Sequence, residues 1–235
     1  MKVGIVNAGN IGMNLAAAWI RHGHDIMLSK DTNPEKLRER VRAFGKENGL
    51  SETELGRFKY GSLAEAAEFG DVVLISAYFP RLAQLLKGLQ SSGVTFSGKI
   101  VIDTMNAVVV DGNFNHSHDL EYMEKTSTTE DIQKAFPKAI VFKAFNTMAS
   151  TVLDARKWTS GHVPPQIFLG GNASSVATVR KLIEDSGFRP IFAGHDVKDA
   201  RLMEKLSILF HRLVENEYQG DVGIAFDIVT PKGDK

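Results

Sequence analysis

The stretch that decides the fold is Val3-Gly4-Ile5-Val6-Asn7-Ala8-Gly9-Asn10-Ile11-Gly12. This apolar run and glycine-containing turn precede apolar residues at helical spacing over 15–20 and a second apolar run that ends at Leu28. A strand, a turn, a helix and a second strand within about 30 residues form the pattern of a dinucleotide-binding βαβ unit. The sequence therefore predicts a site for a nicotinamide dinucleotide.

The turn residues have separate roles in this prediction. Gly9 lets the backbone approach a pyrophosphate, and Gly12 allows the helix to pack closely on the strand. The free N–H groups where the helix starts, around Asn10 and Ile11, face the phosphates. Asn7 stands where the motif G-x-G-x-x-G has its first glycine, and asparagine enters positive φ at modest cost. The alternative interpretation is an ordinary βα turn that holds no ligand.

The rest of the chain alternates between apolar runs and helical patterns, which favours an α/β fold with a Rossmann-like, doubly wound, mostly parallel sheet. We expect a single NAD(P)-binding domain over 1–235, in which 195–235 form a C-terminal helical extension and tail. The predicted strands are 2–6, 24–29, 57–60, 72–77, 99–103, 139–144, 166–170 and 189–193, and the predicted helices are 11–22, 34–48, 62–69, 80–91, 129–135, 151–156, 174–186 and 197–216.

Composition limits the function classes. The 235 residues include 28 Lys and Arg and 28 Asp and Glu, so the formal net charge is zero and neither nucleic acid nor an anionic membrane is an expected partner. The chain has no cysteine, which excludes disulfides and thiol nucleophiles. No secretion signal and no long apolar run is visible, and we expect a cytoplasmic protein. His116 and His118 lack a third ligand at recognisable spacing, so no metal is predicted.

Polar residues follow three of the predicted central strands. In open α/β sheets ligands bind at the carboxyl ends of the strands, so these residues should line one crevice. Amide side chains there offer both donors and acceptors to the nicotinamide carboxamide or ribose, although they can instead satisfy loop backbone. The candidates are Ser76, Ala77 and Tyr78 after the fourth strand, Asn106 after the fifth, and Asn146 and Thr147 after the sixth.

Two further segments carry weaker expectations. The polar stretch 107–128 is predicted to be a loop that either covers a substrate or is a tolerated surface insertion. The helix predicted over 197–216 carries an apolar stripe that must be covered, either as part of the core or as a homodimer interface. We expect a homodimer. His211 on this helix is interpreted as a packing residue.

Several segments together resemble a known family. They are the glycine turn at 5–12, the run Val101-Ile102-Asp103-Thr104-Met105-Asn106, the run Lys143-Ala144-Phe145-Asn146-Thr147, the turn at 193–194 with residues 201–204, and residues 220–226. Over nearly the whole chain they resemble the NADP-dependent oxidoreductases of the deazaflavin coenzyme F-420 type, whose nucleotide domain is also similar to that of the STEAP ferric reductases. The resemblance implies NADP on the glycine turn and hydride transfer to a flavin-like co-substrate.

The segment after the second strand bears on the choice between NADP and NAD. The resemblance implies a Ser-Arg pair there that grips the 2′-phosphate, and this chain has Ser29, Lys30 and Asp31. Asp31 would repel a phosphate by roughly 3 kcal/mol at about 5 Å, unless Lys30 compensates. Ser29 at the strand end favours NADP, and NAD stays possible. A solvated charge pair before a helix that starts with proline is the other interpretation.

These observations predict an oxidoreductase that transfers a hydride between NADP(H) and a flavin-like or other small acceptor. The resemblance implies a histidine at the position of Asn146, so deazaflavin itself is not the assured acceptor. The catalytic residue stays unassigned, with Tyr78 and Asn146 as candidates. The alternatives are an imine or carbonyl reductase, for which Tyr78 would be the proton donor, and an NADP-binding sensor without catalysis.

Overall fold

An eight-stranded sheet organises the protein in the computed structural model, which describes residues 1–30, 33–111, 116–158, 163–229 and 231. The strand order is β10-β9-β8-β5-β4-β1-β2-β3. All neighbouring pairs are parallel except β8 and β9. Because the order reverses between β1 and β4, a crevice forms at their carboxyl ends, where ligands bind in such sheets.

The strands are β1 (Lys2–Val6), β2 (Asp25–Ser29), β3 (Lys59–Gly61), β4 (Val72–Ile75), β5 (Ile100–Asp103), β6 (Val108–Val110), β7 (His116–His118), β8 (Ile140–Lys143), β9 (Pro165–Gly170) and β10 (Arg189–Phe192). The helices are α1 (Asn10–Arg21), α2 (Pro34–Glu47), α3 (Glu52–Gly56), α4 (Leu63–Phe69), α5 (Leu82–Ser91), α6 (Leu120–Lys125), α7 (Thr128–Ala135), α8 (Ala173–Asp185) and α9 (Ala200–Asn216). Strands β6 and β7 form a separate antiparallel pair.

Helices cover both faces of the sheet, so the central strands are buried on both sides. Alternate residues of β1 belong to two different apolar clusters, with Ile5 in one and Val6 in the other. Both side chains are completely buried. Continuous apolar runs such as Val3 to Val6 are therefore explained by burial on both faces, as is typical of parallel sheets.

The predicted fold class is confirmed, and so are most of the predicted elements. Two of the predicted helices begin with side-chain caps: Asn33 caps α2 with Pro34 in its first turn, and Ser62 forms a capping box with Glu65 on α4. One helix prediction was wrong. Residues 151–156 form two 3-10 turns, Ser150–Val152 and Ala155–Lys157, instead of an α-helix.

The stretch 107–128 is more ordered than the sequence indicates. It was predicted as a loop, but its described residues contain β6, β7 and α6. Short elements such as these are stabilised by contacts with the rest of the protein, which a local pattern does not reveal. The five-residue helix α3 was also not predicted. Among the described residues, no helix is long and apolar enough to cross a membrane.

Candidate functional site

The glycine turn has the geometry that dinucleotide binding requires. Asn7 has φ of 63°, so it adopts the left-handed conformation expected of the first glycine of the motif. Its Nδ2 donates a hydrogen bond of 3.0 Å to the carbonyl of Ser76, which ties the end of β1 to the end of β4. The asparagine therefore supplies the turn and also joins the two strands at which the sheet order reverses.

Gly9 and Gly12 differ in what surrounds them. A Cβ on Gly9 would meet no atom within 4 Å, so the backbone is open on that side. A Cβ on Gly12 would lie 2.8 Å from Cγ2 of Ile5, so this glycine allows α1 to pack on β1. No side chain caps α1. Its first N–H groups therefore have no side-chain partner, and with the open backbone at Gly9 they fit a pyrophosphate.

Of the residues after β2 that were predicted to contact the phosphate, Lys30 lines a cavity but Ser29 does not. Ser29 is fully buried, and its hydroxyl donates to the carbonyl of Ile5 at 2.9 Å, so it faces the interior instead of the crevice. Lys30 lines a cavity of about 630 Å³ together with Ser62 at the start of α4. The predicted contact of Asp31 lies outside the described residues.

One cation near the turn was missed in the sequence. Arg40 on α2 donates from Nη2 to Oδ1 of Asn10 at 2.8 Å, which brings its guanidinium to the first residue of α1. In the sequence, the only indication of a role for Arg40 is its position on the helix that follows β2. Arg40 is therefore a second cation, beside Lys30, on the adenosine side of the turn.

The amide side chains of Asn106 and Asn146 lie together, as predicted. Nδ2 of Asn106 donates to the carbonyl of Asn146, and Nδ2 of Asn146 donates to Oδ1 of Asn106, both at 2.8 Å. Nδ2 of Asn146 also donates to the carbonyl of Met203 on α9 at 3.0 Å. Its buried Oδ1 has no partner. The two residues join the ends of β5 and β8 to α9 and line, with Thr147, a cavity of about 380 Å³.

Tyr78 has a different environment from these amides. Its hydroxyl donates to the carbonyl of Val110 at 2.8 Å and accepts from the N–H of Val110 at 2.5 Å. The ring fastens β6 to the segment after β4, and Tyr78 does not line the cavity of Asn106 and Asn146. Ser76 and Ala77 are partly buried beside it. The Tyr78 hydroxyl therefore uses its only hydrogen in a bond to the backbone, which is a structural contact.

Comparisons with known proteins agree with this geometry. Residues 2–107 match the family model described as NADP oxidoreductase, coenzyme F420-dependent. This segment carries the glycine turn, Ser76 and Asn106. This part of the chain is therefore similar to NADP-dependent oxidoreductases. The resemblance seen in the sequence is thereby confirmed. None of the curated proteins is similar enough to count as a relative.

Solved structures show the same fold over most of the chain. A proposed F420-dependent NADP reductase from Arthrobacter sp. FB24 is 22% identical, covers 98% of this chain and 100% of its own, and superposes with a TM-score of 0.79. A hypothetical protein from Sinorhizobium meliloti is 26% identical, with coverage of 83% and 85% and a TM-score of 0.63. An imine reductase from Pseudomonas sp. is 14% identical with a TM-score of 0.63, and the match covers 93% of this chain but 64% of the imine reductase.

A fully buried ion-pair network lies close to the cavity of Asn106 and Asn146. Nζ of Lys143 lies 2.8 Å from Oδ2 of Asp103, from Oγ1 of Thr128 and from Oε1 of Glu204, and it also donates to the carbonyl of Met105. Burial by itself lowers the pKa of Lys143, but the carboxylates of Asp103 and Glu204 outweigh it and raise that pKa above its usual value. The ammonium therefore stays charged. The sequence indicated the segment around Lys143 but not this network.

Three histidines meet beside the same cavity, which the sequence also missed. Nδ1 of His211 on α9 lies 3.0 Å from Nε2 of His118 on β7. The ring of His116 stacks on that of His211 with centroids 5.1 Å apart. His116 and His211 line the cavity of Asn106 and Asn146. His211 therefore packs against the other two rings and also lines the cavity, together with His116 of the segment 107–128.

Proposed function

We propose that this protein transfers a hydride between NADP(H) and a flavin-like or other small acceptor. The observation that carries the proposal is the turn at Asn7 and Gly9, which is open to a pyrophosphate and lies at the sheet's reversal point. The match of residues 2–107 to an NADP oxidoreductase family supports the choice of cofactor. When bound, NADPH supplies the hydride, so the protein needs no nucleophile of its own.

The protein's own groups bind and orient the reactants in this proposal. The N–H groups at the start of α1 hold the pyrophosphate, and Lys30 and Arg40 attract the 2′-phosphate. The amides of Asn106 and Asn146 position the nicotinamide end. Their mutual hydrogen bonds and the bond to Met203 hold these side chains in one orientation before the ligands arrive, which reduces the loss of side-chain entropy on binding.

The acceptor is proposed to lie in the cavity that Asn106, Asn146 and Thr147 line. A volume of about 380 Å³ is within the range of small-molecule sites. Phe210 and Val214 of α9 supply apolar contacts there for a planar ring. A flavin-like ring has polar edges that the amides could bind and flat faces that the apolar side chains could contact.

An imine or carbonyl reductase is the second candidate function. The similarity of fold to an imine reductase favours it. This chemistry needs a proton donor at the cavity. Tyr78 is a weaker candidate for that role than the sequence suggests, because its hydroxyl bonds to the backbone of Val110. A sensor that binds NADP without catalysis is the third candidate.

One set of measurements separates these functions. Calorimetry with NADPH and NADH establishes binding, and oxidation of NADPH is then followed with FMN, deazaflavin and a cyclic imine. We expect NADPH to bind more tightly than NADH and one of the planar rings to be reduced. Turnover of the imine alone would favour the second candidate. Binding without turnover of any probe would favour the sensor, and absence of binding would refute all three.

We also propose that the protein forms a homodimer through α9. Leu202 and Leu209 on this helix are 66% and 49% exposed. Pairing of two such helices would remove this apolar surface from water. Light scattering should give twice the chain mass, and the Leu202→Glu and Leu209→Glu double variant should give the monomer. A cytoplasmic location stays a prediction of the sequence.

A further inference from the structure

The three histidines line two neighbouring cavities. His116 and His211 line the cavity of Asn106 and Asn146, which is the proposed acceptor cavity. The same two rings and His118 line an adjoining cavity of about 260 Å³. His211 therefore lies between His118 and the cavity of Asn106 and Asn146.

The hydrogen bonds of the two paired rings define where protons can lie. Nε2 of His118 faces Nδ1 of His211 at 3.0 Å, so a single proton lies between these two nitrogens. Burial lowers the pKa of the His118 ring, and the nearby backbone of Ser207 opposes that effect. Nε2 of His211 is then the nitrogen that stays available to the cavity.

We propose that His211, backed by His118, is the proton donor of the acceptor cavity. This inference rests on the proposed function. Reduction of an imine or a deazaflavin adds a hydride at a carbon, and reduction of a flavin adds it at the ring nitrogen N5. NADPH supplies the hydride in each case, and the proton that a second ring atom or the imine nitrogen takes up needs a separate donor. Tyr78 does not line the cavity, whereas His211 does. His211 is thus the catalytic residue in this proposal, and His118 is a positioning residue.

The pair delivers its proton in two linked transfers. In the charged pair, Nε2 of His118 donates to Nδ1 of His211, and Nε2 of His211 carries a proton toward the acceptor. The N–H bond at Nε2 of His211 breaks, its electron pair stays on the ring, and an N–H bond forms on the acceptor. Nδ1 of His211 takes the proton of His118, which leaves both rings neutral. One proton from water recharges the pair after the product leaves.

The surroundings make the pair a ready donor. Burial first, and then the charges of His118 and His116, lower the pKa of His211 to about 4. Burial, Arg212 and His116 lower the pKa of His118, while Ser207 and Glu215 oppose that effect. Both shifts weaken the hold of the two rings on their shared extra proton, so the charged pair gives that proton up readily through His211. Turnover limited by this proton should become faster as the pH falls.

The first test does not depend on turnover. Nitrogen-15 NMR of the histidine rings in the full chain, without ligand, should show His118 and His211 titrating together in two shared steps. The His118→Gln variant should leave a single step for His211. The His22→Gln variant, at an exposed histidine, is the matched control and should leave the pair unchanged. Independent titration of the two rings, with His211 unaffected by His118→Gln, would overturn the proposal.

The second test measures the proton step itself. With FMN or a cyclic imine as the probe, His211→Gln should slow reduction roughly a hundredfold and flatten its pH profile. His118→Gln should cause a smaller loss and shift the profile, whereas His22→Gln should change neither. Unchanged rates in His211→Gln would overturn the proposal. If the unaltered protein consumes neither probe, the proposed function fails instead, and the NMR titration still decides whether the pair shares a proton.

Discussion

Lys143 and Glu204 form a buried ion pair, with Nζ and Oε1 separated by 2.8 Å and both side chains completely inaccessible to water. The pair joins the end of β8 to α9, so the C-terminal helix is attached to the sheet directly beneath the Asn106 and Asn146 cavity. A buried charge that loses its partner is strongly unfavourable, because neither water nor another ion replaces the interaction. The network therefore couples the position of α9 to the candidate site.

The Lys143→Met variant should lose about 3–5 kcal/mol of unfolding free energy, since the carboxylates of Asp103 and Glu204 would keep their burial and lose the ammonium. Urea unfolding measures this loss. Lys125→Met is the matched control, because Lys125 pairs with Glu121 on the exposed surface, and it should change stability by less than about 1 kcal/mol. Equal effects of the two variants would show that the buried network does not stabilise the fold.

Gly9 offers a cleaner test of the cofactor site than Gly12. A Cβ at Gly9 meets nothing and φ there is −98°, so Gly9→Asp should unfold like the unaltered protein. Its carboxylate should repel the pyrophosphate and weaken NADPH binding at least tenfold, as calorimetry would show. Gly12→Ala should instead cost about 1–3 kcal/mol of stability by overpacking against Ile5. Unchanged NADPH affinity in Gly9→Asp would remove the turn from the proposed site.

Asn7 should tolerate glycine better than alanine. In Asn7→Ala the left-handed backbone costs about 1–2 kcal/mol, and the hydrogen bond to Ser76 is lost as well. Asn7→Gly loses only the hydrogen bond, so its unfolding free energy should lie between those of the alanine variant and the unaltered protein. Urea unfolding of the three proteins gives this order. A glycine variant as unstable as the alanine variant would contradict the role assigned to the backbone.

Arg40→Ala should weaken NADPH binding by roughly tenfold to a hundredfold and leave NADH binding nearly unchanged, because charge-assisted hydrogen bonds to phosphate contribute about 1.5–3 kcal/mol. Lys30→Ala should act in the same direction. Arg42→Ala lies on the same helix, where Arg42 pairs with Glu52, and serves as the control. Equal losses for the two cofactors would refute the phosphate role of Arg40.

Stability should decrease as the pH falls from about 6.5 to 4. Burial lowers the pKa of His24, against the opposing hydrogen bond to Asp185, and burial lowers that of His211 to about 4. The unfolded chain, with histidine pKa values of about 6.5, therefore binds protons first as the pH drops, which favours unfolding. Melting temperatures across this range measure the effect, which His211→Gln should reduce. A melting temperature that rises toward pH 4 would contradict this reasoning.

Sequence periodicity was sufficient where structure depends on local pattern. The βαβ unit, the strand ends with Asn106 and Asn146, and the positions of α2 and α4 were all predicted. Two short helices and the β6–β7 pair were missed, because elements of three to six residues are held by contacts with distant segments. The segment 151–156 has a helical pattern but forms only 3-10 turns.

The sequence by itself determined the doubly wound sheet and the place of the dinucleotide turn. Both depend on residues that are close in the chain: the continuous apolar runs of strands buried on both faces, and the glycine motif. Only the tertiary structure decided which distant side chains meet. Lys143 and Glu204 are 61 positions apart, and His118 and His211 are 93 apart. Such pairs form because α9 packs over the strand ends, and no local spacing in the chain encodes how one element docks on another.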